Sequence, residues 1–436
     1  MKSKRIKTAV LILGSLLSLQ LTAQETRTLT LKEAMDLGIK NSKQLKSSQA
    51  RIAEAAAAVK EAEEKKLPEA GISGSYMYLP IQPTIDMKAS SGSGAGPSVN
   101  QVVYGSANVS LPLYNGGKTR YGIESAKFLE QAVKLDADND REGVLLNIIN
   151  ACINLYKAHT AIDLVKENLA QSQQRVKDLS NLEKNGLLAR NDLLKAELQS
   201  SNIELSLLDA ESNYKLACVN MNILIGLPEQ TILIPDKSGL ALPGSIKTLD
   251  EYEQDAMQNR KDISAFSFRK KSADVAVKTA RAEKYPSLTL TGGYIAADIP
   301  KFLSVYNAVN IGVGVKYNIA SLWKNKSKVQ QAEAKTKQVS LAGEMLADNI
   351  HLQVNQAYQS YLVSVKKIQV YEKAVTQASE NYRITKNKFD NSLATTTELL
   401  DADVALLQSK LSVTNAKADS FLAYNKLLQT TGTLNN

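Results

Sequence analysis

The sequence predicts a mainly α-helical chain in which a helix, two strands and a long helical hairpin occur twice in the same order. A shift of 206 residues carries Asn185–Leu194 onto Asn391–Leu400 and Gly226 onto Gly432. Four segments in which apolar and polar side chains alternate predict the strands. A repeat of this length constrains the architecture independently of the secondary structure assigned to each segment.

The repeat extends upstream with a different shift. A shift of 218 carries Leu67-Pro68 onto Tyr285-Pro286, so the first copy holds an insertion of 218 − 206 = 12 residues before Val109. The insertion contains Ser90–Pro97, a serine- and glycine-rich segment that predicts an exposed loop. We divide the chain into a leader, a first repeat, a connector and a second repeat at 1–23, 24–226, 227–247 and 248–436.

The leader has the pattern of a secretory signal peptide. Four basic residues precede Ala9–Leu21, an apolar run too short for a stable membrane anchor, and cleavage is expected after Ala23. No cysteine follows the run, so acylation at the cleavage site is not expected. Its removal lowers the formal charge from +9 to 49 − 44 = +5. Because basic and acidic residues alternate along the helices, the charge pattern argues against a nucleic-acid partner.

The predicted helices have lengths that allow two short helices to lie beside each long one. A short helix is expected over 25–42 with Thr30 as its N-cap, and Lys118–Lys184 gives a helix of about 67 residues, or roughly 100 Å. The remaining predicted helices are Ser42–Lys66, Arg190–Ile225, Met257–Lys284, Ser321–Phe389 and Thr395–Thr430.

The first long helix carries two adjacent apolar stripes. Spacings of three and four residues predict that each stripe faces a separate neighbouring helix, as in a wall that is wet on both surfaces. A two-stranded coiled coil would need a single seam. The first stripe is Val144, Ile148 and Leu155, and the second is Leu145, Ile149, Ile153 and Tyr156.

Four segments of about 9 to 11 residues alternate between apolar and polar side chains, as a strand between lipid and water does. The alternative is a pair of ordinary hairpins packed on a soluble core. The flanking helices hold few large apolar residues to form that core, which favours strands that span a membrane. The four segments are Gly71–Leu79, Val103–Leu113, Ser287–Ile295 and Val309–Ile319.

Four strands cannot close a barrel, and open edges in lipid would leave backbone groups unpaired. Three copies would give twelve strands and an aqueous lumen, whereas the interior of an eight-stranded barrel is filled by side chains. The predicted fold class is therefore mainly α. It consists of duplicated helical hairpins in a trimeric α-helical barrel, continued by a 12-stranded membrane β-barrel with four strands per chain.

The chain resembles the TolC-like outer membrane factors, the exit ducts of Gram-negative efflux pumps and type I secretion systems. The resemblance covers the whole mature chain and is most specific in the turn segments Asn185–Glu197 and Asn391–Asp403. It implies a homotrimeric, passive channel in outer membrane lipid with its helical barrel in the periplasm. The implied partners are a periplasmic adaptor (membrane fusion) protein and an inner membrane transporter of the RND, ABC or MFS type.

By the same resemblance, the two turns form a periplasmic tip that docks the adaptor. Ser392 stands where the family usually has glycine, so the second turn departs from the family pattern. The implied docking residues are Gly186, Leu187, Leu188, Ala189, Ser392, Leu393 and Ala394.

The family has a carboxylate constriction just inside this tip, and the matching residues are Glu398 and Asp401. They are three residues apart on one helix face, so threefold symmetry would place six acids around one axis. Such a ring attracts cations and raises the pKa of its own members. The alternative is a pair of solvated acids near a positive helix N-terminus. Asp192 is the counterpart of Glu398 in the first copy and is the third implied gate residue, although it too fits a first helical turn.

The sequence gives no catalytic constellation, so no enzyme activity, cofactor or metal site is expected. His159 and His351 lie at non-equivalent repeat positions without partners at ligand spacing. Cys152 and Cys218 lie at similar heights on the first hairpin, 34 residues before and 32 after Gly186. A disulfide is conceivable in an oxidising periplasm, but two buried free thiols are the preferred state.

Two other functions are compatible with parts of the pattern. A periplasmic coiled-coil scaffold or adaptor would use the helices but has no need of four alternating strands. A cell-surface binding protein would keep the barrel and use the loop Pro80–Gln101. Drug efflux, metal efflux and protein secretion are not distinguished by the residues.

Overall fold

The structure, a computed structural model, describes residues 26–81, 83, 99–236, 241–300 and 302–434. The leader and the segment Ser90–Pro97 lie outside the described residues. The first half of the chain contains β1 (Thr26–Leu29), α1 (Leu31–Asn41), α2 (Lys43–Glu64), β2 (Glu69–Tyr78), β3 (Gln101–Tyr114), α3 (Lys118–Lys184), α4 (Arg190–Ile225) and β4 (Ile232–Pro235). The second half contains α5 (Leu249–Asn259), α6 (Lys261–Ala282), β5 (Ser287–Ile299), β6 (Leu303–Lys316), α7 (Ser321–Asp390) and α8 (Thr396–Thr430).

The chain divides into two compact units. Residues 1–48, 138–261 and 347–436 form the first unit, and residues 49–137 and 262–346 form the second. Helices α3 and α7 contribute residues to both units. No helix in the described ranges is both long enough and apolar enough to cross a membrane.

The first unit is organised around α3, whose two predicted stripes are confirmed. The stripe of Val144, Ile148 and Leu155 packs with Met221 and Ile225 of α4. The stripe of Leu145, Ile149 and Ile153 packs instead with Ala418 and Phe421 of α8, and Tyr156 lies at the edge of that cluster. Helix α3 is therefore covered on two flanks by two different helices, as the spacing predicts.

The prediction of a helix over 25–42 is wrong at its beginning. Residues 26–29 form β1, which pairs in parallel with β4 of the connector. The helix itself starts after Thr30, whose hydroxyl accepts a hydrogen bond from the Glu33 amide at 3.2 Å, so the predicted N-cap is confirmed. Side chains of α4 hold β4 in place: Tyr214 Oη donates to the Leu233 carbonyl at 2.7 Å.

The predicted helix Met257–Lys284 is wrong because the structure has two helices there. Arg260 adopts an extended backbone (φ −63°, ψ 126°) that separates α5 from α6. Its guanidinium donates to the Thr430 carbonyl at 3.1 Å, which fixes the break to the end of α8. Ser42 interrupts the helical backbone at the equivalent position between α1 and α2 (φ −54°, ψ 119°). The interruption is therefore present in both repeats.

The second unit contains a fully antiparallel four-stranded sheet in the order β2-β3-β5-β6. Residues directly opposite each other share a face, and the register places most of the large apolar side chains on one face. Hydroxyl and amide side chains dominate the other face, where Ser73 and Ser106 are hydrogen bonded at 2.8 Å. The apolar face carries Ile72, Tyr76, Val103, Val109, Leu111, Leu288, Leu290, Tyr294, Val309, Ile311, Val313 and Val315.

Both ends of the fourth strand differ from the prediction for identifiable reasons. The fourth strand starts at Leu303 rather than Val309, because a bulge opposite Ile295 interrupts the alternation. Asn307 lies in this bulge with φ 59°. The same strand ends at Lys316 rather than Ile319, because the Ser321 amide donates to the Asn318 carbonyl in a turn that leads into α7.

Candidate functional site

The two hairpin turns at the tip have the same backbone geometry. In the first, Gly186 has φ 71°, and the Leu187 amide donates to the Leu182 carbonyl at 2.9 Å. In the second, Ser392 has φ 61°, and the Leu393 amide donates to the Lys388 carbonyl at 2.7 Å. Both helices therefore end in a Schellman motif, whose left-handed residue is usually glycine. Ser392 keeps the turn tight but bears the steric cost of a side chain in that conformation.

The predicted docking residues differ in exposure. Leu187 and Leu393, which follow the left-handed residues, are 74% and 77% exposed. Leu188 instead packs with Phe389 against a small core beneath the tip, formed by Leu179, Leu193 and Ala196. Each turn thus presents one bare leucine. Gly186, Ala189 and Ser392 are exposed beside them, and Ala394 is half-buried.

Glu398 forms a capping box at the start of α8. Its carboxylate accepts hydrogen bonds from the Thr395 amide at 2.7 Å and the Thr395 hydroxyl at 3.0 Å. The Glu398 amide donates in return to the Thr395 hydroxyl at 3.2 Å. These bonds lower the pKa of Glu398, the Thr395 amide bond contributing most. The box is therefore complete at neutral pH and weakens only as the pH falls through this lowered pKa.

Asp401 is exposed one turn further along α8 and shares an open groove with Glu398. Lys388 lines the same groove, and its charge adds to the lowering of the Glu398 pKa. Within one chain, both candidate gate acids are thus available to solvent. The upward pKa shift expected from crowding concerns three subunits and stays a prediction.

Asp192 pairs with Lys195 of its own helix at 3.3 Å. Lys195 also donates to the Thr397 hydroxyl of the second hairpin at 3.3 Å. Within the chain, Lys195 therefore makes a polar contact between the two tips, and it occupies the position that the 206-residue shift makes equivalent to Asp401. The role of Asp192 at a gate between subunits stays a prediction.

Just below the tips, a buried polar network joins three helices, and sequence reasoning missed it. Arg175 of α3 pairs with Asp403 of α8 at 3.0 Å and donates to the Tyr382 hydroxyl of α7 at 3.0 Å. Asn168 donates to both carboxylate oxygens of Asp403 at 3.3 Å. The side chains of Arg175 and Asp403 are only 10% and 2% exposed. The only sequence signal was an acid four residues after the apolar position Leu399, on the buried face of α8.

Burial opposes the charged form of Arg175, but the hydrogen bond and charge of Asp403 outweigh it and raise the pKa of Arg175. Removing one partner of such a buried pair leaves an uncompensated charge, which costs far more than the pair itself contributes. Arg175 also lines a groove between α3 and α7 with Leu179, Leu182 and Phe389.

The cysteines and histidines form no reactive centre in the described part of the chain. Cys152 and Cys218 are free thiols in the core between α3 and α4, and burial raises the pKa of Cys152 to about 12. His159 lies 3.6 Å from Asp163, and His351 lies 3.0 Å from Glu253. No group of three or more potential metal ligands occurs among the described residues.

Residues 35–227 and 253–433 match the sequence profile of the outer membrane efflux protein family. The chain belongs to this family. The outer membrane protein TolC of Vibrio cholerae is 23% identical over 300 residues, which cover 67% of this chain and 68% of that protein. Nodulation protein T of Rhizobium leguminosarum bv. trifolii is 24% identical over 398 residues, covering 88% and 80%.

Solved structures show the same fold. The CmeC outer membrane channel of Campylobacter jejuni superposes with a TM-score of 0.75 at 18% identity, covering 93% of this chain and 86% of that one. The predicted resemblance and fold class are confirmed: long helices and a four-stranded sheet form an outer membrane efflux channel subunit. Members of the family are channels rather than enzymes.

The left-handed serine gives a matched pair of variants. Ser392→Gly should stabilise the second turn by about 1 kcal/mol, and Gly186→Ser should destabilise the first by a similar amount, because only glycine adopts this conformation without strain. Hydrogen exchange of the Leu393 and Leu187 amides should change about fivefold in opposite directions. Unchanged exchange in both variants would contradict the strain assigned to Ser392.

The buried network predicts strong non-additivity. Asp403→Leu or Arg175→Met alone should destabilise the chain by about 3–5 kcal/mol, because the remaining charge stays buried. The double variant Arg175→Met/Asp403→Leu should recover most of that loss. Urea unfolding of the detergent-solubilised protein measures all three. A double variant as unstable as the sum of the single ones would show that the two residues do not act as a pair.

Proposed function

We propose that three copies of this chain form an outer membrane channel. Their strands close into one barrel, and the channel conducts substrates passively. The observation that carries the proposal is the register of the sheet, which aligns the apolar rows of all four strands on one face and polar rows on the other. A barrel wall between lipid and water has this division.

The edges of the sheet support closure by further copies. Among the described strands, β2 and β6 each have a neighbour on one side only. An unpaired backbone group in lipid costs several kcal/mol, so an open sheet edge would not be stable there. Pairing β6 of one copy with β2 of the next would remove both edges. Three copies of four strands reach the size at which a barrel holds an aqueous lumen.

The tip turns are the proposed docking surface for a periplasmic adaptor protein. Leu187 and Leu393 are bare leucines on tight turns, which suits contact with apolar side chains of another protein. An inner membrane transporter of the RND, ABC or MFS type would supply the energy and choose the substrate. Glu398, Asp401 and Asp192 are the proposed gate residues, at which six or more acids would meet around one axis.

A type I secretion duct would use the same channel with a different transporter. A periplasmic scaffold does not account for the sheet, because a soluble helical scaffold has no use for an exposed sheet face that is mainly apolar. The channel is therefore the function that the geometry supports best.

Native mass tests the assembly. Protein extracted from outer membranes should run as a trimer in detergent-corrected light scattering and should form discrete ion-conducting channels in a planar bilayer. The reason is that only the closed assembly satisfies the edges of β2 and β6. A monomer or dimer that is absent from the outer membrane fraction would refute the proposal and favour a scaffold.

The gate acids can be tested apart from their capping role. Glu398→Ala/Asp401→Ala should weaken cation preference in the planar bilayer, because a ring of carboxylates would lose its charge. Glu251→Ala is the matched control, since Glu251 closes the same kind of capping box with Thr248 at the start of α5. The control should lose a helix cap and keep wild-type selectivity. Unchanged selectivity in the double variant would assign Glu398 to capping alone.

A further inference from the structure

The junction between β6 and α7 is strongly basic. Residues 316–332 contain four lysines and no acidic residue. Lys316 lies opposite Ser287 on the polar face of the sheet, and Lys328 pairs with Glu283 at 2.7 Å. The other two lysines, Lys324 and Lys326, are exposed and have no ion pair among the described residues.

The first turn of α7 directs these side chains away from the neighbouring helix. Ser321 and Asn325 are buried, and the Asn325 side-chain amide donates to the Ala280 carbonyl of α6 at 2.9 Å. Because this face is turned to α6 and each residue advances by about 100°, Trp323, two residues from both, lies on the opposite, free side of α7. Trp323, the only tryptophan of the chain, is 64% exposed there.

The first repeat carries the same pair of charges. A shift of 206 places Lys324 and Lys326 onto Lys118 and Arg120, at the start of α3. Neither Lys118 nor Arg120 has an ion pair within the described part of the chain, whereas nearby Lys127 pairs with Glu63 at 2.9 Å. Lys118 also lines an open groove with Thr119 and Leu129. Two equivalent positions of the fold thus hold uncompensated cations.

Both pairs follow directly on strands that have an apolar face. The apolar row of β6 ends at Val315, and α7 begins at Ser321, so Trp323 and Lys324 follow the end of the apolar row by 323 − 315 = 8 and 324 − 315 = 9 residues. Tryptophan concentrates at the level of lipid headgroups, because its ring is apolar and its N–H is polar. Lysine and arginine extend a charged group from an apolar stem to the same level.

We propose that these junctions bind the anionic headgroups of phospholipids in the membrane leaflet that faces the periplasm. Lys324 and Lys326 on α7, with Lys118 and Arg120 on α3, hold the phosphate groups, and Trp323 lies among the glycerol and ester groups. The proposal rests on the proposed function, in which the sheet spans the membrane. Each basic residue near an anionic surface contributes about 1 kcal/mol, or roughly a fivefold preference.

The single tryptophan makes the site directly measurable. The full-length trimer is placed in nanodiscs of zwitterionic lipid that contain a fixed fraction of brominated phosphatidylglycerol or of brominated phosphatidylethanolamine. Because bromine quenches indole fluorescence on contact, the ratio of the two quenching efficiencies gives the local enrichment of anionic lipid. We expect about two- to fivefold enrichment at 0.1 M salt and its loss at 1 M salt, where charges are screened within about 3 Å.

Lys324→Gln/Lys326→Gln should reduce the enrichment at Trp323 to near one. The matched control is Lys335→Gln/Lys337→Gln, which removes the same charge at the same spacing from exposed positions of the same helix. These residues lie 11 positions further along α7, or about 16 Å from the junction. The control should keep the wild-type enrichment, which separates a local headgroup site from a general effect of net charge.

The outcomes distinguish this proposal from the proposed function. Equal quenching by the two brominated lipids in an inserted trimer would overturn headgroup selection and leave the membrane channel intact. Quenching by neither lipid in an inserted trimer would also overturn it, because Trp323 would then be covered by a second copy of the chain. Failure of the trimer to enter nanodiscs would overturn both proposals.

Discussion

The packing of α3 on two flanks is the constraint on which the first unit depends. Its two apolar stripes are adjacent, so one helix cannot cover both, and α4 and α8 each take one. The two remaining faces of α3 are left to polar side chains. An arrangement with a helix on either side and water on the other faces suits the wall of a hollow structure, because no central core has to be filled. The short strands β1 and β4 and the helix α1 close the end of this packing around Leu29, Ala34 and Leu233.

The two repeats stabilise their tip turns in different ways. The first has glycine at the left-handed position, but Ala189, the N-cap of α4, makes no side-chain cap hydrogen bond. The second has the strained Ser392, but α8 starts with the capping box of Thr395 and Glu398. In the first turn the left-handed residue is favourable and the helix N-cap is unfavourable, and in the second turn the reverse holds. The two turns therefore have the same backbone path although different residues stabilise them.

Sequence reasoning succeeded where a signal is local and failed where it depends on distant residues. Helices α3 and α4 have the predicted bounds, because the turn at Gly186 separates them and Gly226 ends α4. Strands β1 and β4 were missed because four residues are too few to show alternation, and their pairing joins segments about 200 residues apart. Arg175 and Asp403 are separated by 228 positions, so no spacing rule connects them. The gate could be named only through the family resemblance, since first-turn acids are common in any helix.

The ion pairs along the contact between α3 and α8 have a mechanical consequence. Lys157 pairs with Asp419, Glu167 with Lys410 and Arg175 with Asp403, so charges match at three heights along two antiparallel helices. An axial slide of one hairpin past the other by a helical turn, about 5.4 Å, would separate all three pairs together. Splaying of the ends beyond Arg175 would break only the contacts nearest the tip. The matched pairs therefore oppose an axial slide of the two helices more than a splaying of the ends that carry the candidate gate residues.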